Sequence, residues 1–367
     1  MNLANKKITF ILPTFNERKN IVKIIDEIIG LSYLYDIEII VIDDKSNDGT
    51  ESLIRNYARK DLRVRLINRF DRFGLSSALK EGCLCAIGDF ILIMDSDGQH
   101  KVKSAELALK ILISNDVDLI IGSRFQTLSK IKGLSKKRIR GSKIANYFAR
   151  YSLSNKYGKI TDYMSGFIAL KRESCISFIE KIDISGFKFL YELLAVSKGK
   201  FDFIEIPLTF HKRDYGSSKF NYAVVWDFLI SLIHSFIGRI IPRRAISYAA
   251  VGAIGLLVQL SITYFLLWTT KLNFELVLPV AVIIAASSNY FINNLLTFRA
   301  NRLKYRLLLE GYLKFLLVSS LPIIANIGLT NLFYKSVSIN TFASQIAAIL
   351  IVFIWNYAAS SKIVWKS

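Results

Sequence analysis

Ile246–Trp268 runs for 23 residues without a lysine, arginine, aspartate or glutamate, and Leu276–Phe298, Phe315–Tyr334 and Ser344–Ser361 are likewise uncharged. A helix needs roughly 20 apolar residues to cross the hydrocarbon core of a bilayer, and no open sheet or loop satisfies its backbone there. The second half of the chain is therefore expected to be all-α, with four transmembrane helices. Lysine and arginine set their orientation. Arg239, Arg243 and Arg244 precede the first span, and Arg299, Arg302, Lys304, Arg306 and Lys314 lie between the second and third. Lys362 and Lys366 follow the fourth, whereas the two remaining loops hold only Lys271 and Lys335. Both termini and the middle loop are expected to face the cytoplasm. The N-terminal segment MNLANKKITFILPTF has too short an apolar run for a signal peptide, which agrees with that placement.

The first half has another pattern. Short apolar runs at 8–12, 37–42, 63–67, 90–94 and 117–121 predict strands, and Asn20–Gly30, Thr50–Arg59 and Leu75–Ala86 predict helices between them. Alternating strand and helix implies an α/β domain, a parallel sheet covered on both faces. The net charge of +20 divides into 40 basic against 27 acidic residues up to Ala245 and 9 against 2 beyond it. Such an excess suits nucleic acid, anionic lipid or a phosphorylated substrate. The apolar second half favours the lipid, so a membrane-embedded protein and no nucleic-acid partner are expected. Cys83, Cys85 and Cys175 lack the spacing of a zinc site and are expected to be buried thiols in a reducing compartment.

The chemistry is concentrated in Phe90–His100, FILIMDSDGQH, where a strand-like run ends in two carboxylates, Asp95 and Asp97. Ligands of open α/β sheets bind just past the carboxyl ends of the strands. Two carboxylates there can hold a divalent cation such as Mg²⁺ or Mn²⁺, and the cation can hold a diphosphate. That points to a nucleotide-sugar site; a solvated turn is the plainer alternative. Two more polar strand-to-helix turns fall on the same edge, Pro13-Thr14-Phe15-Asn16-Glu17 and Asp43 to Thr50. Phe15 can stack on a base, and Glu17, Asp43 or Asp44 can accept from base or ribose. Helix capping by Asn16, Ser46 or Asp48 competes with that use.

Basic residues suited to phosphate follow: Arg124 after the fifth strand, Arg138 four residues before Ser142 on one helical face, and Arg213 with Lys219 in a polar loop. His100 and His211 are read as structural or peripheral, because a phosphate acceptor is already ionised and needs no base. Arg138–Tyr157 and Phe220–Ile241 have the composition of helices lying in the headgroup plane, the second with an ordinary core helix as its alternative.

Taken in order, PTFNE (13–17), DDKSNDGT (43–50), GLSSALKEG (74–82), MDSDGQH (94–100), GSRF (122–125), Asp162 with Ser165-Gly166-Phe167, Gly186-Phe187-Lys188 with Glu192, EIPLTF (205–210) and RDYGSSK (213–219) resemble the motifs of family 2 glycosyltransferases, in particular the dolichol-phosphate mannose synthase group. Two departures are Lys101-Val102, where the group usually has a proline pair, and the missing glycine pair soon after the GSRF segment. The resemblance implies an inverting transferase on a GT-A (Rossmann-like) fold in residues 1–215, after which 216–244 is expected to be an amphipathic helix and linker. Separately, Val251-Gly252, Asn289-Tyr290-Phe291-Ile292-Asn293-Asn294 and Asn356-Tyr357 resemble the GtrA-like membrane domain, which implies a four-helix membrane domain in 245–367. The transferase resemblance also implies metal and diphosphate binding by Asp95, Asp97 and Gln99. Pro13, Phe15, Glu17, Asp43, Asp44 and Ser96 would line the nucleotide-sugar pocket, with Arg213 and Lys219 over the phosphates. Arg124, Arg138 and Ser142 would meet the lipid phosphate. The expected reaction is transfer of one hexose, mannose from GDP-mannose, to dolichyl or polyprenyl phosphate, with the membrane domain as anchor and a support for homo-oligomers. UDP-glucose is the rival donor. A processive polysaccharide synthase is disfavoured because no Q-x-x-R-W motif follows the first domain. A non-enzymatic flipping or assembly module is disfavoured by the intact acidic and arginine residues.

Overall fold

The computed structural model describes residues 6–70, 74–183, 188–213, 222–336 and 341–365, in two compact units, Met1–Phe236 and Ile237–Ser367. In the first unit the chain forms β1 (Lys7–Thr14), α1 (Ile21–Ile29), β2 (Asp36–Asp43), α2 (Thr50–Ala58), β3 (Val64–Asn68), α3 (Leu75–Cys85), β4 (Phe90–Ile93), α4 (Val102–Ser114) and β5 (Leu119–Ser123). There follow β6 (Lys130–Ile131), α5 (Lys136–Ser152), β7 (Ile168–Lys171), α6 (Arg172–Ile179), α7 (Phe189–Ser197), β8 (Phe203–Pro207), β9 (Thr209–Phe210) and α8 (Tyr222–Phe236). Seven strands make one sheet in the order β3-β2-β1-β4-β7-β5-β8, and β6 pairs with β9 in a small ribbon.

Alternation along the strands fills two cores. Ile8, Phe10 and Leu12 of β1 join Ile39, Val41 and Leu92 on one face, where Ile21, Ile24, Ile25 and Ile28 of α1 close over them at helical spacing. Ile11, Ile40, Ile42, Ile91 and Ile93 form the other face under Ala78, Leu79 and Cys83 of α3. Gly82 lets α3 approach that closely. A β-carbon there would stand 2.7 Å from Ile42 Cδ1 and 2.9 Å from Ile11 Cγ2. Overpacking of this kind outweighs the gain in helix propensity, so Gly82→Ala should cost roughly 1–2 kcal/mol. A lowered thermal midpoint of the purified protein is the expected result, and an unchanged or raised one contradicts it.

The sheet is not wholly parallel, contrary to the expectation from alternation. β7 lies antiparallel between β4 and β5. The reason is its entry point: the 162–167 segment starts it beside the carboxyl end of β4, so it must run the opposite way. The three cysteines are free, with Cys83 and Cys175 buried as expected.

Helix α8 packs on α5, and its Phe228 and Leu232 join the α3-side core together with Tyr191. The Tyr191 hydroxyl donates to Ser235 Oγ at 2.9 Å. The outward face of α8 exposes Val225, Leu229 and Ile233, and α5 exposes Ile144, Tyr147, Phe148 and Tyr151. One face of the helix therefore lies in the core, and an apolar face is exposed.

Among the described residues the second unit has four long helices, α9 (Arg243–Thr269), α10 (Phe274–Leu295), α11 (Arg306–Ser336) and α12 (Thr341–Ala359), over the four uncharged stretches. Among the described residues, α9 and α10 are long and apolar enough to cross a membrane. Each helix packs on the next, and α12 packs back on α9. A β-carbon on Gly255 would fall 2.3 Å from the Asn289 carboxamide, which marks a close crossing of α9 and α10. Gln259 donates to Gln345 across α9 and α12 at 2.7 Å. At one end Trp365 stacks on Phe298 with centroids 4.2 Å apart, and its indole N–H donates to Asn294 Oδ1 at 3.3 Å.

Candidate active site

β1, β2 and β4 run parallel and end on one edge, so their turns meet. Asn16, at φ +57°, donates its backbone N–H to Ser46 Oγ at 2.7 Å, and its carboxamide oxygen accepts from Asn47 N at 2.9 Å. These bonds zip the first two turns together. Asp48 accepts from Thr50 N at 3.0 Å, a contact within the turn; the N-cap position of α2 is Gly49, so Asp48 does not take the capping place anticipated for it. Asp43 is almost wholly buried and takes both the N–H and the hydroxyl of Ser46, at 2.8 and 2.6 Å. Burial nonetheless raises its pKa, against those hydrogen bonds. Its carboxylate thus shapes the turn.

Asp44 is held differently. Arg69, buried at the end of β3, donates to its Oδ1 at 2.8 Å, and Gly74 N donates to Oδ2 at 3.2 Å. Arg69 also binds Ser77 Oγ at 2.6 Å and pairs with Glu81 at 3.3 Å. A lone arginine after a short strand carried no signal in the sequence. Glu17 is buried beside the edge and accepts from Asn20 at 2.7 Å, while Pro13 and Phe15 are half-buried.

The Asp95–Gln99 turn follows β4. Ser96 faces inward and donates to the Pro13 carbonyl at 2.8 Å, tying this turn to the first. Gly98 sits at φ +79°, a conformation that suits glycine. Asp97 Oδ1 accepts from Gln99 N at 3.0 Å, and its Oδ2 pairs with Arg213 Nη2 at 2.8 Å. Arg213 also reaches Gln99 Oε1 at 3.4 Å and stands 3.8 Å from Glu17. Gln99 Nε2 donates to the His211 carbonyl at 3.0 Å, and His211 N donates back to the Gln99 carbonyl at 3.1 Å. So Gln99 clasps the segment that carries Arg213. Lys219 lies outside the described residues.

The electrostatics of this turn favour a cation. Desolvation raises the pKa of Asp95, against the opposing fields of Lys188, Arg213 and Arg124. Desolvation and the neighbouring Asp95 charge raise that of Asp97. A β-carbon on Gly166 would lie 3.3 Å from both Asp95 oxygens, so glycine keeps the space over that carboxylate open. A guanidinium already stands on Asp97. Two desolvated carboxylates, one open to its surroundings, fit a divalent ion that takes its other ligands from phosphate and water. Among the described residues no group of three or more His, Cys, Asp or Glu converges, so the protein would supply few of the ligands.

Arg124 leaves β5 and forms a bidentate pair with Asp162, Nε–Oδ2 at 2.7 Å and Nη2–Oδ1 at 2.9 Å. Asp162 is fully buried, and the guanidinium lies 5.5 Å from the Phe125 ring and 5.7 Å from the Phe210 ring. The Thr161 and Asp162 N–H groups donate to Glu205 and fix the turn. Arg138 is exposed on α5, with Ser142 half-buried one turn later. Partial desolvation, then Arg213 and Arg124, lower the Arg138 pKa, while Asp97 opposes them. Desolvation lowers that of Lys188, which feels Arg124, Asp95 and Asp162. His100 is buried beneath Asp95, where desolvation brings its pKa down to about 4 and keeps the ring neutral.

The pattern of the family described as glycosyl transferase family 2 matches residues 9–178, and that of the GtrA/DPMS transmembrane domain matches residues 247–365. A dolichol-phosphate mannosyltransferase of Pyrococcus furiosus is 32% identical over 300 residues, 80% of this chain and 81% of its own. A polyprenol monophosphomannose synthase of Mycolicibacterium smegmatis is 32% identical over 222 residues, 58% of this chain and 80% of its own. A dolichyl-phosphate beta-glucosyltransferase of Trichomonas vaginalis is 27% identical over 239 residues, 61% of this chain and 69% of its own. With its carboxylate turn at the end of β4 and a GtrA/DPMS transmembrane domain later in its sequence, this chain belongs to glycosyl transferase family 2.

Proposed function

We propose that the protein transfers one hexose, mannose from GDP-mannose, to the phosphate of a dolichyl or polyprenyl phosphate, with inversion at the anomeric carbon. The observation that carries this reading is the meeting of the Asp95–Asp97 pair with Arg213 and the field of Arg124 and Arg138 at one sheet edge. Asp95 and Asp97 would hold Mg²⁺ or Mn²⁺, which supplies charge to neutralise the departing nucleoside diphosphate. Gln99 sets the Arg213 segment against that diphosphate, and Asp44, braced by Arg69, accepts from base or ribose. An oxygen of the lipid phosphate forms the bond to the anomeric carbon as the bond to the diphosphate oxygen breaks. That oxygen is already ionised, so no general base is required. Arg124, Arg138 and Ser142 hold the acceptor phosphate.

The charge pattern of the loops supports four spans, with the first unit and both termini in the cytoplasm beside soluble nucleotide sugars. A UDP-glucose donor is the second reading, supported by the relative named as a glucosyltransferase. Presenting GDP-mannose and UDP-glucose in parallel to the membrane-reconstituted protein with a polyprenyl phosphate tests the donor. Lipid-linked mannose supports the first reading and lipid-linked glucose the second. No lipid-linked sugar from either overturns both. Arg138→Ala removes one charge-assisted contact worth about 1.5 kcal/mol, so the KM for polyprenyl phosphate should rise roughly tenfold. The KM for the nucleotide sugar should stay within a factor of about two of the wild-type value, and a larger change in it than in the acceptor KM contradicts the assignment.

A further inference from the structure

The chemistry assigned to Asp95 leaves the ring beneath it without a task. β4 ends at Ile93, and Met94 N still donates to the Ile11 carbonyl at 3.3 Å. Asp95 N is the first amide to leave the sheet, and it donates to His100 Nδ1 at 3.1 Å. This bond closes the Asp95–Gln99 turn from one end to the other. His100 is only 3% exposed and is held edge-on by Phe167 at 5.4 Å and Phe210 at 5.6 Å, so it has little freedom to turn. An Nδ1 that accepts carries a lone pair there, which places the ring proton on Nε2. The same lone pair faces Asp95 Oδ2 at 3.8 Å. Imidazole therefore offers that carboxylate no donor, and among the described residues no side chain hydrogen-bonds it. The side chain of Asp95 stays 32% exposed, although the turn around it is buried.

We propose that His100 is a positioning residue for the divalent cation: its Nδ1 pins the Asp95 backbone and turns the carboxylate outward, without donating to it. The proposal rests on the reading of Asp95 as a cation ligand. It makes acceptor placement, and not ring shape or basicity, the property that matters at position 100. Asparagine can bring its Oδ1 to the place of Nδ1, glutamine brings its carboxamide to that of Nε2, and phenylalanine keeps the ring without any acceptor.

The test is direct Mn²⁺ affinity, measured by electron paramagnetic resonance on the detergent-solubilised full chain with GDP present. His100→Phe should weaken Mn²⁺ at least tenfold. His100→Asn should bind within threefold of wild type, and His100→Gln should resemble His100→Phe. Thermal midpoints measured alongside separate this pattern from mere packing, under which affinity would follow stability and ignore where the acceptor lies. If His100→Phe does not fold, the Asn and Gln variants decide, and equal affinities overturn the proposal. Wild-type affinity in His100→Phe overturns it as well, as does a wild-type protein that binds no Mn²⁺. A wild-type protein that shows the expected Mn²⁺ pattern but transfers no hexose overturns the function proposed above and leaves this inference standing.

Discussion

Asp97→Asn should lower the rate of hexose transfer by about 10³-fold with the fold intact, a loss of the size seen when one preorganised charge stabiliser is removed. The side chains are nearly isosteric, so packing is preserved. What disappears is the charge that would hold the cation on the diphosphate, together with the 2.8 Å ion pair to Arg213. The stability effect has a definite sign. Desolvation and Asp95 raise the folded-state pKa of Asp97, so its ionised form costs stability at neutral pH. That cost is relieved as pH falls through the raised pKa, and the neutral asparagine removes it at every pH. Loss of the Arg213 pair offsets part of the gain. The thermal midpoint at neutral pH is thus expected to stay near that of wild type while transfer of labelled hexose collapses. An active Asp97→Asn enzyme contradicts the metal assignment.

Arg124→Ala should both inactivate and destabilise the protein. Its partner Asp162 is fully buried and takes both hydrogen bonds of the guanidinium fork. Removing one member of a buried pair leaves an uncompensated charge and costs about 3–5 kcal/mol. Loss of activity in this variant alone would therefore say little about substrate. Arg124→Ala combined with Asp162→Asn separates the two effects, because the orphaned charge is gone. The double variant should recover most of the lost thermal stability and remain inactive toward polyprenyl phosphate. Arg124→Lys keeps the charge without the planar fork and the contacts to Phe125 and Phe210, so acceptor use should fall by roughly tenfold or more. Recovery of transfer in the double variant would show that Arg124 serves the fold alone.

The parts of this arrangement that were legible in the sequence are those with a local signature. An apolar run that stops at Asp95 places the carboxylates at a strand end whatever follows. Uncharged stretches of helical length become helices because nothing else satisfies their backbone. The parts that were not legible depend on partners far along the chain. Ile168–Lys171 looks like any other short buried strand, and only the path of the chain before it makes it antiparallel. Gln99 is 112 residues from the carbonyl it binds, and Arg69 is 25 residues from Asp44, with α2 and β3 between them. Asp43 and Asp44 are adjacent and identical in type, yet one is taken up by Ser46 and the other by an arginine. His100, read as structural or peripheral, lies in contact with the Asp95–Gln99 turn because the Asp95–His100 loop folds back on itself. Gln259 and Gln345 meet over 86 residues, a pairing that hydropathy does not report.

The most direct test of the central claim is acceptor dependence: release of nucleoside diphosphate by the purified full-length protein, with donor and Mn²⁺ held constant and polyprenyl phosphate varied. The account predicts release that saturates with polyprenyl phosphate and matches, mole for mole, the sugar recovered on the lipid. Release that ignores polyprenyl phosphate, or sugar recovered on some other acceptor, would contradict it.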